Sequence, residues 1–446
     1  MAADKHTDTT PVIRTGGTAA PVHVLVIGGG YAGVMAANRL TRREGVAVTL
    51  VNPRAEFVER VRLHQLVGGT DDAVTDFRAV LADGVRRVVD SVARIDAAGR
   101  TVELTGGGTL AYDYLVYAVG SGSADPRVPG AAEFALPLTS FEEATSLRAA
   151  VDAAPAGATV TVVGAGPTGI ETAAELAEAG RTVTLVCGKV LGPYLHARGR
   201  RAVARRLAAL GVTVLQGAGA EVSEVTRDSV RLTDGRELAS GVTIWSAGFG
   251  VPDLAARSGL STDALGRLLT DETLTSVDDD RIVAAGDSAA PSDLPLRMSC
   301  QAAIPLGARA ADTVLSRVAG ERVAALNTFF AGQCISLGRA TGIFQFARRN
   351  DVAVGFHIDG RLGARVKEMV CAGTLKHLSG EAGKPGSYGL HNVSDGGKRA
   401  RALAGQPQRT EEGPGAQGAA PAPVQAARTV QAVQEVQEAE GTVGAR

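Results

Sequence analysis

The most specific chemistry in this chain lies in two glycine triplets. Gly28, Gly30 and Gly33 stand in "VHVLVIGGGYAGVMAANRL" (22–40), and Gly164, Gly166 and Gly169 in "TVVGAGPTGIETAAEL" (161–176). Each triplet follows an apolar, β-branched run and opens an alanine-rich helical pattern, the context in which G-x-G-x-x-G cradles a dinucleotide pyrophosphate. The first glycine permits a tight turn, the second lets the backbone approach the phosphates, and the third lets strand and helix pack closely. The phosphates then meet the unpaired N–H groups at the positive end of the helix. One such turn would be weak support, since a tight strand-to-helix turn need bind nothing. Its repetition in the same context predicts two dinucleotide sites.

Residues at neighbouring strand ends complete the two sites. Asn52 follows the next strand, where an acid usually accepts hydrogen bonds from the adenosine ribose; its amide oxygen accepts without the strengthening charge. Cys187 holds the equivalent place in the second copy, followed by Gly188 and Lys189. A neutral residue there does not repel a 2′-phosphate, and Lys189 or the arginines of "HARGRRAVARRL" would attract one, so NADH and NADPH both stay open. Those arginines equally suit a solvated helix face, with Val203, Leu207 and Leu210 on its buried side. "YDYLVYAVGS" (112–121) carries Ala118 and Gly120 at its end, and "VTIWSAGF" (242–249) carries Gly248. "DRIVAAGDSAAP" (280–291) brings Gly286 and Asp287, an acid beside a glycine, well placed for a polyol hydroxyl.

The elements that must position these residues read as strands and helices in alternation. "VHVLVIG", "AVTLVN", "TVTVVG", "TVTLVC" and "VTIWSAG" are short, nearly continuous apolar runs, as parallel strands covered on both faces should be. The expected fold class is α/β, with two doubly wound dinucleotide-binding domains. The 446 residues suffice for two or three cores. With 46 basic and 47 acidic side chains, no global field favours nucleic acid. The four cysteines are far apart and form no C-x-x-C pair, which suits a reducing cytoplasm; the seven histidines lack ligand spacing, so no metal is expected. The start has no signal-peptide core, and no apolar run is long enough to span a bilayer. Residues 1–20 and the tail 396–446 read as disordered, though Val430, Val433 and Val436 recur at helical spacing and would form a short helix if a partner covered them.

Taken in order, "GGGYAG", "YDYLVYAVGS", "GAGPTGIETAAEL", "IWSAGF" and "AAGDSA" resemble the two-dinucleotide-binding-domain flavoproteins of the pyridine nucleotide-disulfide oxidoreductase superfamily. Within these the chain is most similar to the type II NADH dehydrogenases. The resemblance implies an FAD domain from 21–130 and 255–325, an NAD(P)H domain (131–254) inserted in it, and a C-terminal domain (326–395). It implies FAD pyrophosphate on Gly28, Gly30 and Gly33, and the ribityl chain on Asp287. Glu171 would lie near nicotinamide and flavin as a catalytic residue, or would serve only as a first-turn acid worth about 0.3–1 kcal/mol. His64 and Gln65 would line the flavin ring, although a core or surface histidine explains His64 as well.

The resemblance also implies hydride transfer from NADH or NADPH to FAD, then electron transfer to a quinone or similar small acceptor. With no cysteine pair in the sequence, disulfide reduction is set aside. A helix starting near Ser299 would point its positive end at the flavin. In the quinone-reducing enzymes it opens with Ala-Gln-x-Ala-x-Gln; here Gln301 keeps the first glutamine and Pro305 replaces the second. Two alternatives stand beside this reading: a pathway-specific flavin reductase or oxidase, and a non-enzymatic NAD(P)H-sensing flavoprotein. The C-terminal domain of type II enzymes rests on a membrane. Here Leu362, Val366, Met369 and Val370 form an apolar stripe with Arg361, Arg365 and Lys367 outside it, which would lie on a bilayer or pack on the protein itself. The implied location is cytoplasmic, with room for peripheral contact at the inner face of the cell membrane and for a homodimer.

Overall fold

A run such as Val24-Leu25-Val26-Ile27 has no polar side to offer water, so it must be covered on both faces. A computed structural model describing residues 20–405 shows how. The strand Val22–Ile27 sits in the middle of a five-stranded sheet, ordered Ile282–Ala284, Tyr114–Tyr117, Val22–Ile27, Val46–Asn52, Val85–Val89. All its pairings are parallel, with Val24 opposite Val48 on one side and Tyr114 on the other. Val24 and Val26 pack with helices Tyr31–Leu40 and Cys300–Ala319, while Leu25 and Ile27 join a second core with Ile95, Val102 and Leu254. The alternation of faces within one apolar run is the signature of a doubly wound sheet.

A second parallel sheet repeats the plan, ordered Ala135–Pro137, Val242–Trp245, Thr159–Val163, Thr182–Val186, Thr213–Leu215. Between the two sheets the chain crosses twice, and the crossings pair as short antiparallel strands, Gly122–Ser123 with Phe249–Gly250. The expected α/β class with two such sheets is therefore what the chain adopts.

A three-stranded antiparallel sheet follows, Gly332–Ser336, Gly342–Ala347 and Ala353–Asp359, and then the helix Gly360–Gly383. This helix corrects the sequence reading. Its buried residues are Gly363, Lys367, Cys371, Thr374, Leu378 and Glu381, whereas Leu362 and Met369 are 56% and 65% exposed. Gly363 sets the rotation: a Cβ there would lie 2.2 Å from the Gly342 carbonyl oxygen, so helix and strand meet at this glycine. Residues four, eight and eleven positions on then follow it inward, and the lysine goes with them.

The C-terminal stretch is held by buried polar groups. Arg39 binds Asp312 (Nε to Oδ1, 2.7 Å) and Glu381 (3.1 Å) and donates to the Tyr388 carbonyl (3.1 Å), while Glu381 accepts from the Tyr388 amide (2.7 Å). His391 closes the group at 2.8 Å from Asp312. Residues 396–405, expected to be disordered, are instead structured. Lys398–Ala404 is a helix, Asp395 accepts from the Arg399 amide, and Arg399 binds Glu272 at 2.7 Å. The expectations for residues 1–19 and for the valine repeat at 430–436 lie outside the described residues.

Candidate functional site

The two glycine turns have the same construction. Gly28 has φ +101°, and a Cβ on it would lie 2.2 Å from the Ala118 carbonyl oxygen; one on Gly33 would lie 1.8 Å from the Gly28 oxygen. Gly30 faces open space. In the second turn Gly164 has φ +138°, with its Cβ position 2.4 Å from Ser246 Oγ; that of Gly169 is 2.1 Å from the Gly164 oxygen, and Gly166 again faces open space. The first and third glycines are demanded by packing, and the middle one leaves room for a phosphate. No side chain caps either helix at Gly30 or Gly166, so first-turn N–H groups stay available to an anion. Both turns fit a dinucleotide.

The surrounding residues are placed as follows. Asn52 stands at its strand end, but its amide is engaged locally: Oδ1 accepts from Gly29 N (2.9 Å) and Nδ2 donates to the Arg54 carbonyl (2.9 Å). It braces the turn. Asp287 receives the Ser121 hydroxyl (2.7 Å), and Arg60 donates to Ser121 (2.9 Å) from 3.7 Å away from Asp287. Gly120 and Gly286, both at positive φ, shape the loops beside it. Gly248, at φ +89°, precedes the strand Phe249–Gly250 of the crossing. Cys187 is buried, its thiol pushed up to about 12 by burial, so the site where an acid would stand is neutral.

Away from the turns, four segments bring charge together. Glu171, on the helix Pro167–Glu178, is buried; Oε1 lies 2.8 Å from Lys367 Nζ and accepts from Ser336 N at 2.9 Å, and Oε2 lies 3.6 Å from His64 Nδ1. Burial pushes this carboxyl up, but Lys367, His64 and the Ser336 amide outweigh it and hold it below the ordinary range. Burial likewise works against the Lys367 ammonium, and Glu171 outweighs it. Next to the pair, Arg62 binds Glu59 (3.1 Å), Gln65 Oε1 (3.2 Å) and Glu368 (2.5 Å). Gln65 is thus occupied by Arg62. Tyr31, from the helix of the first glycine turn, belongs to this neighbourhood through Cys300, Cys371 and Glu59, and the Val61 backbone reaches its buried hydroxyl.

Gln301 lies at the start of the helix Cys300–Ala319, where Ser299 is the N-cap, as expected from the sequence. Its amide is spent on backbone: Nε2 donates to the Gly332 carbonyl (2.9 Å) and Oε1 accepts from Ala331 N (3.0 Å). It fixes the antiparallel sheet to this helix. Pro305 is buried inside that helix.

Three cysteines distant in sequence also converge: Cys300, Cys334 and Cys371 each sense the charge of Lys367 and of one another. Burial raises all three thiols to about 11. They stay protonated at neutral pH and are poor nucleophiles; the sequence spacing showed no cysteine pair, and the fold nonetheless brings these three together. Lys367, Ser336, Tyr31 and the cysteine trio were missed from the sequence. The available signal was the four-residue step Gly363, Lys367, Cys371, which places small and polar residues on one helix face.

His64 is buried and its imidazole is pushed down to about 4, by burial first, so it is neutral near pH 7. Unfolded, it titrates near 6.5, so between about pH 4 and 6.5 the unfolded chain binds the extra proton and stability rises with pH. His64→Phe is expected to remove about 2 kcal/mol of the stability difference between pH 7 and pH 5 in denaturant titrations. An unchanged difference would show that the ring is not held neutral.

Residues 22–307 match the family model described as pyridine nucleotide-disulphide oxidoreductase. An NADH dehydrogenase-like protein of Mycobacterium tuberculosis is 31% identical over 349 residues, covering 72% of this chain and 87% of that protein. The type II NADH:quinone oxidoreductase of the same species is 29% identical, over 69% of this chain and 75% of its own. Among solved structures, the sulfide:quinone oxidoreductase of Aquifex aeolicus aligns with a TM-score of 0.70 at 19% identity, covering 81% of this chain and 92% of its own; at that identity the likeness is one of fold.

Proposed function

Because the chain belongs to the pyridine nucleotide-disulphide oxidoreductase family, we propose that it binds FAD at Gly28, Gly30 and Gly33 and NAD(P)H at Gly164, Gly166 and Gly169, and reduces a quinone. The reaction is NAD(P)H + H⁺ + quinone → NAD(P)⁺ + quinol. Its coarser form, an NAD(P)H-dependent flavin oxidoreductase of the NADH dehydrogenase type, follows from the family and the relatives. One observation carries the finer form: Tyr31 from the first glycine helix and Glu171 from the second reach one buried cluster, closed by Lys367 of the C-terminal helix.

When bound, the flavin supplies the two-electron carrier between nicotinamide and acceptor. Asp287 would take the ribityl hydroxyls, steadied by Ser121 and Arg60. Glu171 would be catalytic through the charge it keeps beside the nicotinamide. Cys187 and the exposed Lys189 place no negative charge against a 2′-phosphate, so NADPH should reduce the flavin at a rate comparable with NADH. Anaerobic mixing with each dinucleotide, followed by a soluble quinone, tests this function. A flavin that bleaches and is not re-oxidised by quinone favours the pathway-specific reductase or the NAD(P)H sensor instead.

We also place the quinone-reducing face at a membrane surface. No helix among the described residues is long and apolar enough to cross a bilayer. The helix Gly360–Gly383 nonetheless turns Leu362 and Met369 outward, and Phe356 on the preceding strand is 64% exposed. Beside them Arg361 and Arg365 suit anionic headgroups. In co-sedimentation with phosphatidylglycerol vesicles, Leu362→Glu/Met369→Glu is expected to lower the bound fraction at least about tenfold while turnover of a soluble quinone persists. Equal binding of variant and wild type would remove this face from membrane contact.

A further inference from the structure

The helix Ala197–Ala209 of the second dinucleotide domain carries five arginines and no acid. Two of the five are used by the fold: Arg200 donates to the Leu195 carbonyl (3.2 Å), and Arg206 donates to the Leu337 carbonyl (3.1 Å) and binds Glu178 (3.0 Å). The other three, Arg198, Arg201 and Arg205, are exposed, and none has a side-chain hydrogen bond or an acidic partner among the described residues. Their spacing puts them on one stripe of the helix, opposite the side that buries Gly199, Val203 and Leu207.

This stripe is electrostatically unfavourable in the protein alone. Like charges three and four positions apart repel, and Arg198 stands in the first turn, at the positive end of the helix. His196, the N-cap, feels the same field: burial pushes its imidazole down first, and Arg198, Arg201 and Arg200 push it further. An anionic surface would relieve these repulsions together.

The borders of the stripe say which surface. Tyr194, just before the helix, is 45% exposed, and the strand Ala353–Asp359 lies against the helix start. A Cβ on Gly355 would be 3.3 Å from His196 Cε1, and the exposed Phe356 follows it. At the other end a groove of about 260 Å³ is lined by Arg205, Arg206, Thr341, Asp359 and Gly360, with Asp359 as its one acid. Arg361 and Leu362 come next in the chain, so the row runs into the exposed face of the C-terminal helix. Unpaired cations beside exposed aromatic and aliphatic groups suit the headgroup layer of an anionic bilayer, where the charges meet phosphates and the apolar groups enter the acyl boundary. A nucleic acid offers the charge without the apolar layer.

We propose that the row Arg198, Arg201 and Arg205 is a docking surface for an anionic phospholipid bilayer, so that the membrane grips the second dinucleotide domain as well as the C-terminal helix. This builds on the membrane placement above without depending on Leu362 and Met369. Binding through the row follows surface charge and salt, whereas binding through those two residues follows apolar burial. The row also lies close in sequence to the second glycine turn, because the loop before the helix is tied to it by Gly192 N donating to the Ala165 carbonyl (3.0 Å).

The test uses the full-length holoprotein and two triple variants, Arg198→Gln/Arg201→Gln/Arg205→Gln and Arg198→Lys/Arg201→Lys/Arg205→Lys. Co-sedimentation with phosphatidylglycerol and with phosphatidylcholine vesicles is measured at about 0.05 M and about 0.5 M salt, beside NADH and NADPH turnover with a soluble quinone. One cation at an anionic surface corresponds to about a fivefold effect on partitioning, so the glutamine variant is expected to bind phosphatidylglycerol about 100-fold more weakly at low salt. The lysine variant keeps wild-type binding, high salt removes the difference, and NADH turnover is the same in all three proteins. Equal binding of the glutamine variant and wild type to phosphatidylglycerol overturns the proposal. So does an equal loss on phosphatidylcholine, which would not be a charge effect. A raised KM for NADPH with vesicle binding intact would assign the row to the 2′-phosphate instead, and tighter binding of a short DNA duplex than of the vesicles would assign it to nucleic acid. Leu362→Glu/Met369→Glu separates the row from the apolar face. If that variant keeps salt-sensitive binding, the apolar face fails and the row stands; if it loses binding while the glutamine variant keeps it, the row fails and the face stands.

Discussion

Gly33→Ala is expected to yield a folded protein purified without FAD, while Gly169→Ala retains its flavin but is reduced by NAD(P)H only at much higher concentration. The added methyl would stand 1.8 Å from the Gly28 oxygen in the first case and 2.1 Å from the Gly164 oxygen in the second. Real Cβ atoms do not approach backbone so closely, so the glycine turn and the helix start must separate. The N–H groups that would meet the pyrophosphate then move out of line, and the close strand-to-helix contact is lost. Overpacking of this kind costs about 1–3 kcal/mol even where side chains can yield, and here the obstacle is backbone. A loss of at least about 100-fold in affinity follows at each site. Flavin absorbance of the purified variants, with NADH titrations of Gly169→Ala, separates the two turns. Flavin retained in Gly33→Ala and lost in Gly169→Ala would exchange the assignments, and flavin retained in both with normal reduction would end them.

How much of this was legible in the sequence depended on whether the signal was local. The glycine turns are consecutive stretches whose spacing carries their geometry, and the apolar strands between them announce burial on both faces. Asp287 and Ser299 could be placed for the same reason, as each stands next to the element that it completes. Lys367 could not. Its inward turn depends on Gly363 meeting Gly342, and its charge depends on Glu171 almost two hundred positions earlier. On a helix with Leu362, Val366 and Met369, a lysine at the edge reads as solvated, because apolar residues ordinarily define the buried face. The structure reverses that face: the polar residues serve the interior cluster, and two of the stripe's residues, Leu362 and Met369, are exposed. Asn52 and Gln301 show the complementary limit. Their positions were legible, but the partners that occupy their amides were not.

Glu171→Gln is expected to cost about 3–5 kcal/mol of stability, because it leaves the Lys367 ammonium buried with no opposite charge. Turnover should fall with it by a factor of about 100 or more, the range for losing one positioned electrostatic contact to the reacting groups. A single variant would confound the two effects, and the ion pair offers a way to separate them. Replacing a buried pair by apolar groups of similar size is often neutral for stability. Glu171→Leu/Lys367→Met should therefore recover most of the stability lost in Glu171→Gln, with the Ser336 amide left as the main unsatisfied group. Activity should not recover, because no charge remains to steady the nicotinamide. Chemical denaturation and stopped-flow reduction of wild type and both variants decide the matter. If activity returns with stability, the pair serves only to fasten the C-terminal helix to the second glycine helix. If stability returns alone, the chain keeps a costly buried charge pair for its chemistry.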